Sequence, residues 1–201
     1  MANADRAVEG VTARLPPHER IVEVARELFC RDGIHATGID RILTEAGASK
    51  MTLYSRFGSK EALVREVLTR EGSDWRDSFF RRVEAAGLDP ALRLSAVIPA
   101  LRVWFEGERF YGCAFMNAAA EHAKGSRGGE PWLRDMAAAH HAAILGFLAG
   151  LAGQAGYIEP RMVARQVLLV LDGAIAAMMV SGDAGVLEVA TRTLQAVLCK
   201  T

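Results

Sequence analysis

The chain has 201 residues with 24 basic and 24 acidic side chains, so its formal net charge is zero. A phosphate-binding domain is usually basic as a whole, and this balance therefore removes the simplest argument for a nucleic-acid partner unless the charge is arranged locally. The hydrophobic fraction of 51% excludes a chain that is disordered throughout.

Cysteine usage and the apolar runs bear on compartment and membrane. Cys30, Cys113 and Cys199 are widely separated and form no CxxC pair, so the expected setting is a reduced cytoplasm without a zinc site. The longest apolar run, 167–180, is interrupted by Asp172 and is too short to span a bilayer. The sequence predicts a cytoplasmic protein without a membrane segment.

Apolar residues recur at helical spacing from Ile21 to Leu198, and strand signals are nearly absent. The predicted fold class is all-α with about nine helices. In chain order they are expected at 19–31, 37–46, 50–57, 60–86, 90–108, 114–124, 131–155, 160–180 and 183–199. This organisation predicts a flexible N-terminal segment at 1–17, a small helical head at 18–65 and a larger helical domain at 66–201.

Local signals mark the helices of the head. Thr37 and Asp40 have the spacing of a capping box that opens the second helix, Gly47 ends it, and Ser49 can cap the third. Two short helices joined across a glycine form a helix-turn-helix, in which the second helix can lie in a major groove of DNA.

The charge around that second helix is locally uneven. Leu53 and Phe57 are four residues apart and are expected to face inward, which leaves the other sides of the helix available. The window 46–60 contains no acidic residue and three basic ones, Lys50, Arg56 and Lys60. A small basic surface is therefore predicted where phosphates would lie.

Five runs in this region stand at a characteristic spacing: Ala25-Arg-Glu-Leu-Phe29, Gly33-Ile-His-Ala-Thr37, Ile39-Asp-Arg-Ile42, Ala46-Gly-Ala-Ser-Lys50 and Thr52-Leu-Tyr-Ser-Arg-Phe57-Gly-Ser-Lys-Glu-Ala-Leu63. Together they closely resemble the DNA-binding head of the TetR family of transcriptional regulators. The resemblance implies an all-helical homodimer, a C-terminal domain that senses a small ligand, and repression that is relieved when the ligand binds.

The resemblance also implies roles for individual residues. Thr37, Tyr54 and Lys60 match positions that contact phosphates, and helix N-termini suit that role physically. Other matched positions approach base edges or lie beside them: Ser49, Lys50, Met51, Thr52 and Arg56. Met51 stands where a smaller residue is common and Arg56 where histidine is frequent, so the operator sequence is not predicted. Tyr54 has an alternative place in the core of the head.

The larger domain carries aromatic, methionine and polar residues that could line a ligand cavity. They are Trp75, Phe79, Trp104, Phe105, Phe115, Met116, Asn117, Glu121, Trp132, Met136 and Met178. Ordinary core packing is the alternative for each apolar member. In each of the adjacent pairs Glu121-His122 and His140-His141, the two side chains cannot both face one metal from a regular helix. Neither a metal nor a cofactor is therefore predicted.

The last two helices are predicted to form a dimer interface. From Val167 to Val180 the chain is apolar almost all round, so both sides of that helix must be covered. One side can pack on its own domain and the other on a partner, in a four-helix arrangement completed by the amphipathic helix 186–198. Asp172 inside this run is a hydrogen-bonded structural residue or, less favoured, an acceptor in a pocket.

These features predict a homodimeric repressor that binds a pseudo-palindromic DNA operator and is released by an apolar or amphipathic small molecule. The long fourth helix links the head to the ligand domain and is expected to transmit the effect of ligand binding to the head. An activator with the same head, or a helical protein-binding adaptor, is the alternative. An enzyme is not predicted, because no nucleophile–base–acid set or phosphate loop is present in the sequence.

Overall fold

A computed structural model describes residues 15–107, 110–125 and 131–199. These residues form ten α-helices, one 3₁₀ turn and no strand, which confirms the all-α prediction. The predicted flexible segment 1–17 lies, up to residue 14, outside the described residues.

The N-terminal head contains three helices and the start of a fourth, with bounds close to those predicted. They are α1 (Pro17–Asp32), α2 (Ile39–Ala46), α3 (Lys50–Phe57) and α4 (Lys60–Glu84). Gly47 ends α2 in the left-handed conformation, with φ of 55°. The Ser49 hydroxyl accepts a hydrogen bond from the Thr52 amide at 3.1 Å, so the predicted cap of α3 is confirmed.

The predicted capping box at α2 is wrong. Gly38 holds the N-cap position, and no side chain caps this helix. Thr37 is instead wholly buried, and its hydroxyl donates to the Gly33 carbonyl oxygen at 2.7 Å. The hydroxyl proton therefore satisfies a carbonyl at the end of α1 inside the head, and the side chain does not cap the next helix.

The larger domain contains six further α-helices and the 3₁₀ turn. They are α5 (Pro90–Ser95), the 3₁₀ turn (Pro99–Leu101), α6 (Arg102–Phe105), α7 (Ala114–Gly125), α8 (Pro131–Gln154), α9 (Pro160–Ser181) and α10 (Val186–Leu198). The single helix predicted over 90–108 is wrong. Pro99 has no amide hydrogen to donate to the Ser95 carbonyl and its ring clashes there, so the helix breaks.

Two hydrophobic clusters are joined by α4. The first half of α4, with Leu63 and Val67, packs in the cluster of the head, while Phe79 and Val83 pack in the cluster of the body. The head cluster also receives Phe115 from the body helix α7. The boundary at residue 65 thus stays a prediction, because side chains from both sides of it share one cluster.

Two body helices, α8 and α9, are long and apolar enough to cross a membrane by length and composition alone. The run 167–180, which alone is too short to span a bilayer, lies within α9, which has 22 residues. Core helices of soluble proteins pass the same test. In this fold α9 packs Val167, Leu171 and Ile175 into the body core, and this packing accounts for part of its apolar character.

Candidate nucleic-acid interface and body cavities

Helix α3 presents apolar and polar side chains outward from a buried anchor. Leu53 is wholly buried and Phe57 packs against the head cluster, as predicted. On the opposite side Met51 is 79% exposed and Tyr54 is 49% exposed. Arg56 is also exposed. Because Tyr54 lies outside the core, its alternative place in the head interior is not supported.

The N-terminus of α3 is held by two local interactions. The hydroxyls of Ser49 and Thr52 lie 3.0 Å apart, and the Ser49 oxygen also accepts the Thr52 amide. Lys50 Nζ pairs with Asp40 of α2 at 2.8 Å, with both side chains exposed. Hydrogen bonding to this carboxylate raises the pKa of Lys50. The four predicted base-reading residues thus lie together at the N-terminal end of α3, where Thr52 is half-buried and the other three are exposed.

Two of the predicted phosphate contacts point inward. Thr37 is withdrawn as a contact because its side chain is wholly buried and bonded within the head. Lys60 Nζ donates to the Ile34 carbonyl oxygen at 2.6 Å. Burial lowers the pKa of Lys60, and the nearby Glu121 carboxylate opposes that effect. Tyr54 is the only one of the three predicted phosphate contacts whose side chain is exposed among the described residues.

Glu121 joins the body to the head instead of lining a ligand cavity. Its carboxylate accepts the amide of Ile34 at 3.2 Å and that of His35 at 3.0 Å. Gly33 makes room for this contact, since a Cβ there would lie 2.7 Å from the Glu121 Oε1 atom. Gly33 also has φ of 92°, which favours glycine. No sequence signal reveals this junction, because Glu121 is 87 residues from Ile34 and 86 residues from His35 in the chain.

The eleven predicted ligand residues do not meet in one cavity. Phe79 and Phe105 are buried in the body core, and Met116 and Met178 pack against it. Three others, Phe115, Trp132 and Met136, belong to or contact the head cluster. Asn117 donates to the Tyr111 carbonyl oxygen at 2.8 Å, so its side chain, like that of Glu121, forms hydrogen bonds with the backbone.

Two neighbouring cavities lie where α1, α4 and the segment before α7 meet. The larger measures about 360 Å³ and is lined by Glu23, Arg26, Glu27, Cys30, Glu71, Trp104, Tyr111 and Gly112. The smaller measures about 10 Å³, and its lining includes Trp75, Trp104 and Phe115. Only the larger has room for a small molecule. Sequence reasoning missed every lining residue of this cavity except Trp104. Four of the missed residues lie on α1, which the sequence places in the head alone.

A buried histidine lies beside the smaller cavity. His140 is 5% exposed, its ring stacks on Phe115 with centroids 4.2 Å apart, and Arg76 Nη1 lies 2.9 Å from its Nδ1. Burial, together with Arg76 and His141, lowers the pKa of His140 to about 4. The ring is therefore neutral near pH 7 and accepts a hydrogen bond from the guanidinium.

Asp172 lies on α9, close to His141 of α8. The His141 Nε2 and Asp172 Oδ1 atoms are 3.5 Å apart, and burial raises the pKa of the Asp172 carboxyl. This contact between helices fits the structural interpretation of Asp172. Among the residues described, no group of three or more histidine, cysteine, aspartate or glutamate side chains could hold a metal ion.

Comparison with known sequences gives matches concentrated in the head. The profile described as bacterial regulatory proteins, tetR family, matches residues 21–67. The HTH-type transcriptional repressor DhaR of a Mycobacterium species is 28% identical over 109 residues, covering 54% of each chain. The HTH-type transcriptional regulator QacR of Staphylococcus aureus is 38% identical over 61 residues, covering 30% of this chain and 32% of its own. The chain thus spans about half the length, or less, of these curated relatives.

Comparison with solved structures covers most of the chain. A TetR-family transcriptional regulator from Streptomyces coelicolor has a TM-score of 0.81 at 27% identity, covering 90% of this chain and 94% of that one. The reduced form of NemR from E. coli has a TM-score of 0.77 at 17% identity, covering 90% and 97%, which is a likeness of fold alone. The relatives are transcriptional regulators, and no enzyme family is indicated. Residues 21–67 thus match the tetR family of bacterial regulatory proteins, and the chain as a whole is similar in fold to a TetR-family transcriptional regulator.

Proposed function

We propose that the chain is a cytoplasmic, homodimeric repressor that binds a pseudo-palindromic DNA operator and releases it when a small molecule binds. The observation that carries the proposal is the exposed face of α3, where Met51 and Tyr54 remain solvent-accessible around a buried Leu53. Large exposed apolar side chains on a short, well-capped helix favour a docking face. Major-groove recognition helices present their N-terminal residues in this manner.

The proposed contacts divide into two chemical groups. Ser49, Lys50, Met51 and Thr52 would face base edges, where hydroxyl and ammonium groups donate and a methionine makes apolar contact. Tyr54 and Arg56 would contact phosphates, which fixes position without reading sequence. Lys60 is not assigned a contact in the free protein because its ammonium already bonds to the Ile34 carbonyl.

Fluorescence anisotropy with the upstream intergenic DNA tests the DNA-binding proposal. Tyr54→Ala and Arg56→Gln are each expected to weaken DNA binding about tenfold at fixed salt, because each removes a contact with a DNA phosphate. Arg102→Gln removes a positive charge that is also exposed, in the body, and serves as the control. Absence of binding by the wild type, or equal affinities for all four proteins, would refute the proposal.

The dimer is proposed to form through α9 and α10. A groove of about 710 Å³ between them is lined by side chains that include Leu169, Ala177 and Val189. Leu169 is 73% exposed and Val189 is 66% exposed, so this face leaves apolar surface in water in the single chain. The resemblance to TetR-family regulators implies a homodimer, and a second copy of α9 and α10 would cover the groove in a two-fold arrangement.

A further inference from the structure

The loop that joins α1 to α2 carries a direct contact between the head and the body. The Glu121 carboxylate of the body helix α7 accepts the Ile34 amide at 3.2 Å through Oε1 and the His35 amide at 3.0 Å through Oε2. Two successive backbone amides therefore point at one carboxylate, and each oxygen has its own donor. Hydrogen bonds from amides to a carboxylate are stronger than those between neutral groups, so this pair can hold the loop on the body.

The backbone of Ile34 is held from two sides. Its amide donates to Glu121 of the body, and its carbonyl oxygen accepts a hydrogen bond from Lys60 Nζ at 2.6 Å. Ile34 is 7% exposed, so water has little room to replace either partner. Because Lys60 is the first residue of α4, the loop is fixed to α7 and to the helix that joins both hydrophobic clusters.

Gly33 gives the carboxylate the room that this contact needs. A Cβ at Gly33 would lie 2.7 Å from the Glu121 Oε1 atom and 3.1 Å from its Oε2 atom, and φ of 92° disfavours any other residue there. The Thr37 hydroxyl donates to the Gly33 carbonyl oxygen at 2.7 Å and ties the other end of the loop to α1. The conformation of the loop is therefore fixed on the head side as well as by Glu121.

The helix that presents Glu121 is itself fixed to the body. Phe115, in the first turn of α7, packs against α4 at Gly72, where a Cβ would lie 2.8 Å from the ring. The other contact of this ring is with His140 of α8, on which it stacks with centroids 4.2 Å apart. Because α4 and α8 hold α7 in this way, Glu121 carries the position of the body to the loop of the head.

The loop leads to the two helices of the helix-turn-helix. Helix α2 begins at Ile39, five residues after Ile34. The turn between α2 and α3 is held by Arg20 of α1, which donates to the Ala46 carbonyl oxygen at 2.8 Å and to that of Gly47 at 2.9 Å. The orientation of α3 is therefore linked to the body through the loop, α1 and α2.

From these contacts we propose that Glu121 is a positioning residue that fixes the orientation of the head on the body. Its effect on operator binding rests on the proposed function, whereas its effect on orientation does not. Two heads held at one orientation are preorganised for two half-sites, and heads that reorient lose this advantage. Glu121 would thus set the half-site spacing that the dimer accepts.

Amide hydrogen exchange on the full chain, followed by NMR, tests the contact. Glu121→Ala is expected to speed exchange at Ile34 and His35 about tenfold, because both amides lose this acceptor. Exchange at Leu28, inside α1, should not change, which distinguishes a local effect from a general loss of head stability. Glu84→Ala removes an exposed acidic side chain at the end of α4 and serves as the control.

Residual dipolar couplings measure the orientation of the head directly. In the wild type, the couplings of head and body should fit one alignment tensor. In Glu121→Ala the head couplings should decrease relative to those of the body, because reorientation averages them. Glu121→Gln keeps one acceptor oxygen and should restore part of both effects. Unchanged exchange at both loop amides, or unchanged head couplings, in a folded Glu121→Ala variant would overturn the proposal.

Anisotropy with two duplexes, which carry both half-sites or one half-site mapped by footprinting, separates this inference from the proposed function. Glu121→Ala should weaken binding to the first duplex about tenfold and leave binding to the second unchanged. Equal losses on both duplexes would refute the role in spacing. The NMR changes in a protein that binds neither duplex would support the positioning role and refute the repressor. DNA binding without the NMR changes would support the repressor and refute the positioning role.

Discussion

Thr37 stabilises the head through one buried hydroxyl. The hydroxyl donates to the Gly33 carbonyl at 2.7 Å and lies 3.4 Å from the Leu28 carbonyl oxygen, with the side chain wholly buried. Thr37→Val keeps the shape and leaves the carbonyls without this donor. We expect the free energy of unfolding to fall by about 1–3 kcal/mol, measured by urea denaturation.

The matched control for this change is Thr44→Val. Thr44 makes a similar hydroxyl-to-carbonyl bond, to Asp40, but at an exposed position where water can replace it. Its effect should stay within about 0.5 kcal/mol. Equal destabilisation by the two substitutions would contradict the interpretation of Thr37 as a buried structural donor.

His140 gives the body a predictable response to pH. Its folded pKa of about 4 is below the ordinary value of 6.5, so the unfolded chain binds the proton more readily between these pH values. The stability from this residue is full above pH 6.5 and is lost as pH falls towards 4. Between pH 7.5 and 5 the wild type should lose about 2 kcal/mol more than His140→Gln.

Chemical denaturation of both proteins at the two pH values measures this difference. Glutamine can still accept a hydrogen bond from Arg76, and the other titrating groups are common to both proteins and cancel. The same pH dependence in wild type and variant would exclude His140 as the cause.

At the scale of elements, the sequence mainly predicts helix ends and caps, because these features depend on neighbouring residues. Ser49 caps α3 and Gly47 ends α2 because their effects act within a few residues. The helix break near Pro99 also has a local cause. The helical spacing of apolar residues continues across Pro99, however, and therefore conceals the break in the sequence. Boundaries of the head helices were therefore more predictable than those of the body.

Contacts between elements distant in sequence could not be predicted in this way. The helix face that Glu121 shares with Asn117 predicts a place in a ligand pocket, but its carboxylate accepts hydrogen bonds from the loop that follows α1. Thr37 matched a family position, but burial depends on how the loop folds back onto α1. The larger cavity likewise needs α1, α4, Trp104 and Tyr111 in place together.

The prediction about dimer assembly concerns helices α9 and α10. Leu169 is exposed on the groove between them, whereas Leu92, which is 55% exposed, lies on α5. Leu169→Arg would place a charge in the proposed interface, where burial of an unpaired charge is costly. We expect this variant to sediment as a monomer at micromolar concentration, while the wild type and Leu92→Arg remain dimers. A wild-type monomer, or a dimer that tolerates Leu169→Arg, would contradict the assignment.

The whole molecule is electrically neutral, yet its proposed operator is a polyanion. Lys50 and Arg56 are exposed on α3, but Lys50 shares its charge with Asp40 and Lys60 is turned inward. Few phosphates can therefore be neutralised by ion pairing. The remaining contacts would come from Tyr54, from hydroxyls and from backbone amides, which release fewer counterions.

This arrangement predicts a shallow dependence of operator affinity on salt. Arg56 at a phosphate and Lys50 in the groove bring two cations from each subunit to the DNA, or about four in a dimer, so the slope of log K against log salt should be about −4. Arg56→Gln should reduce its magnitude by about two, because one contact is lost from each subunit. Lys60→Gln should leave the slope unchanged, since the Lys60 ammonium bonds to Ile34 instead of to DNA. Anisotropy titrations over a series of salt concentrations measure all three slopes. A wild-type slope near −10 would show that other cations carry the interface, and a slope reduced by Lys60→Gln would show that Lys60 leaves Ile34 to reach a phosphate.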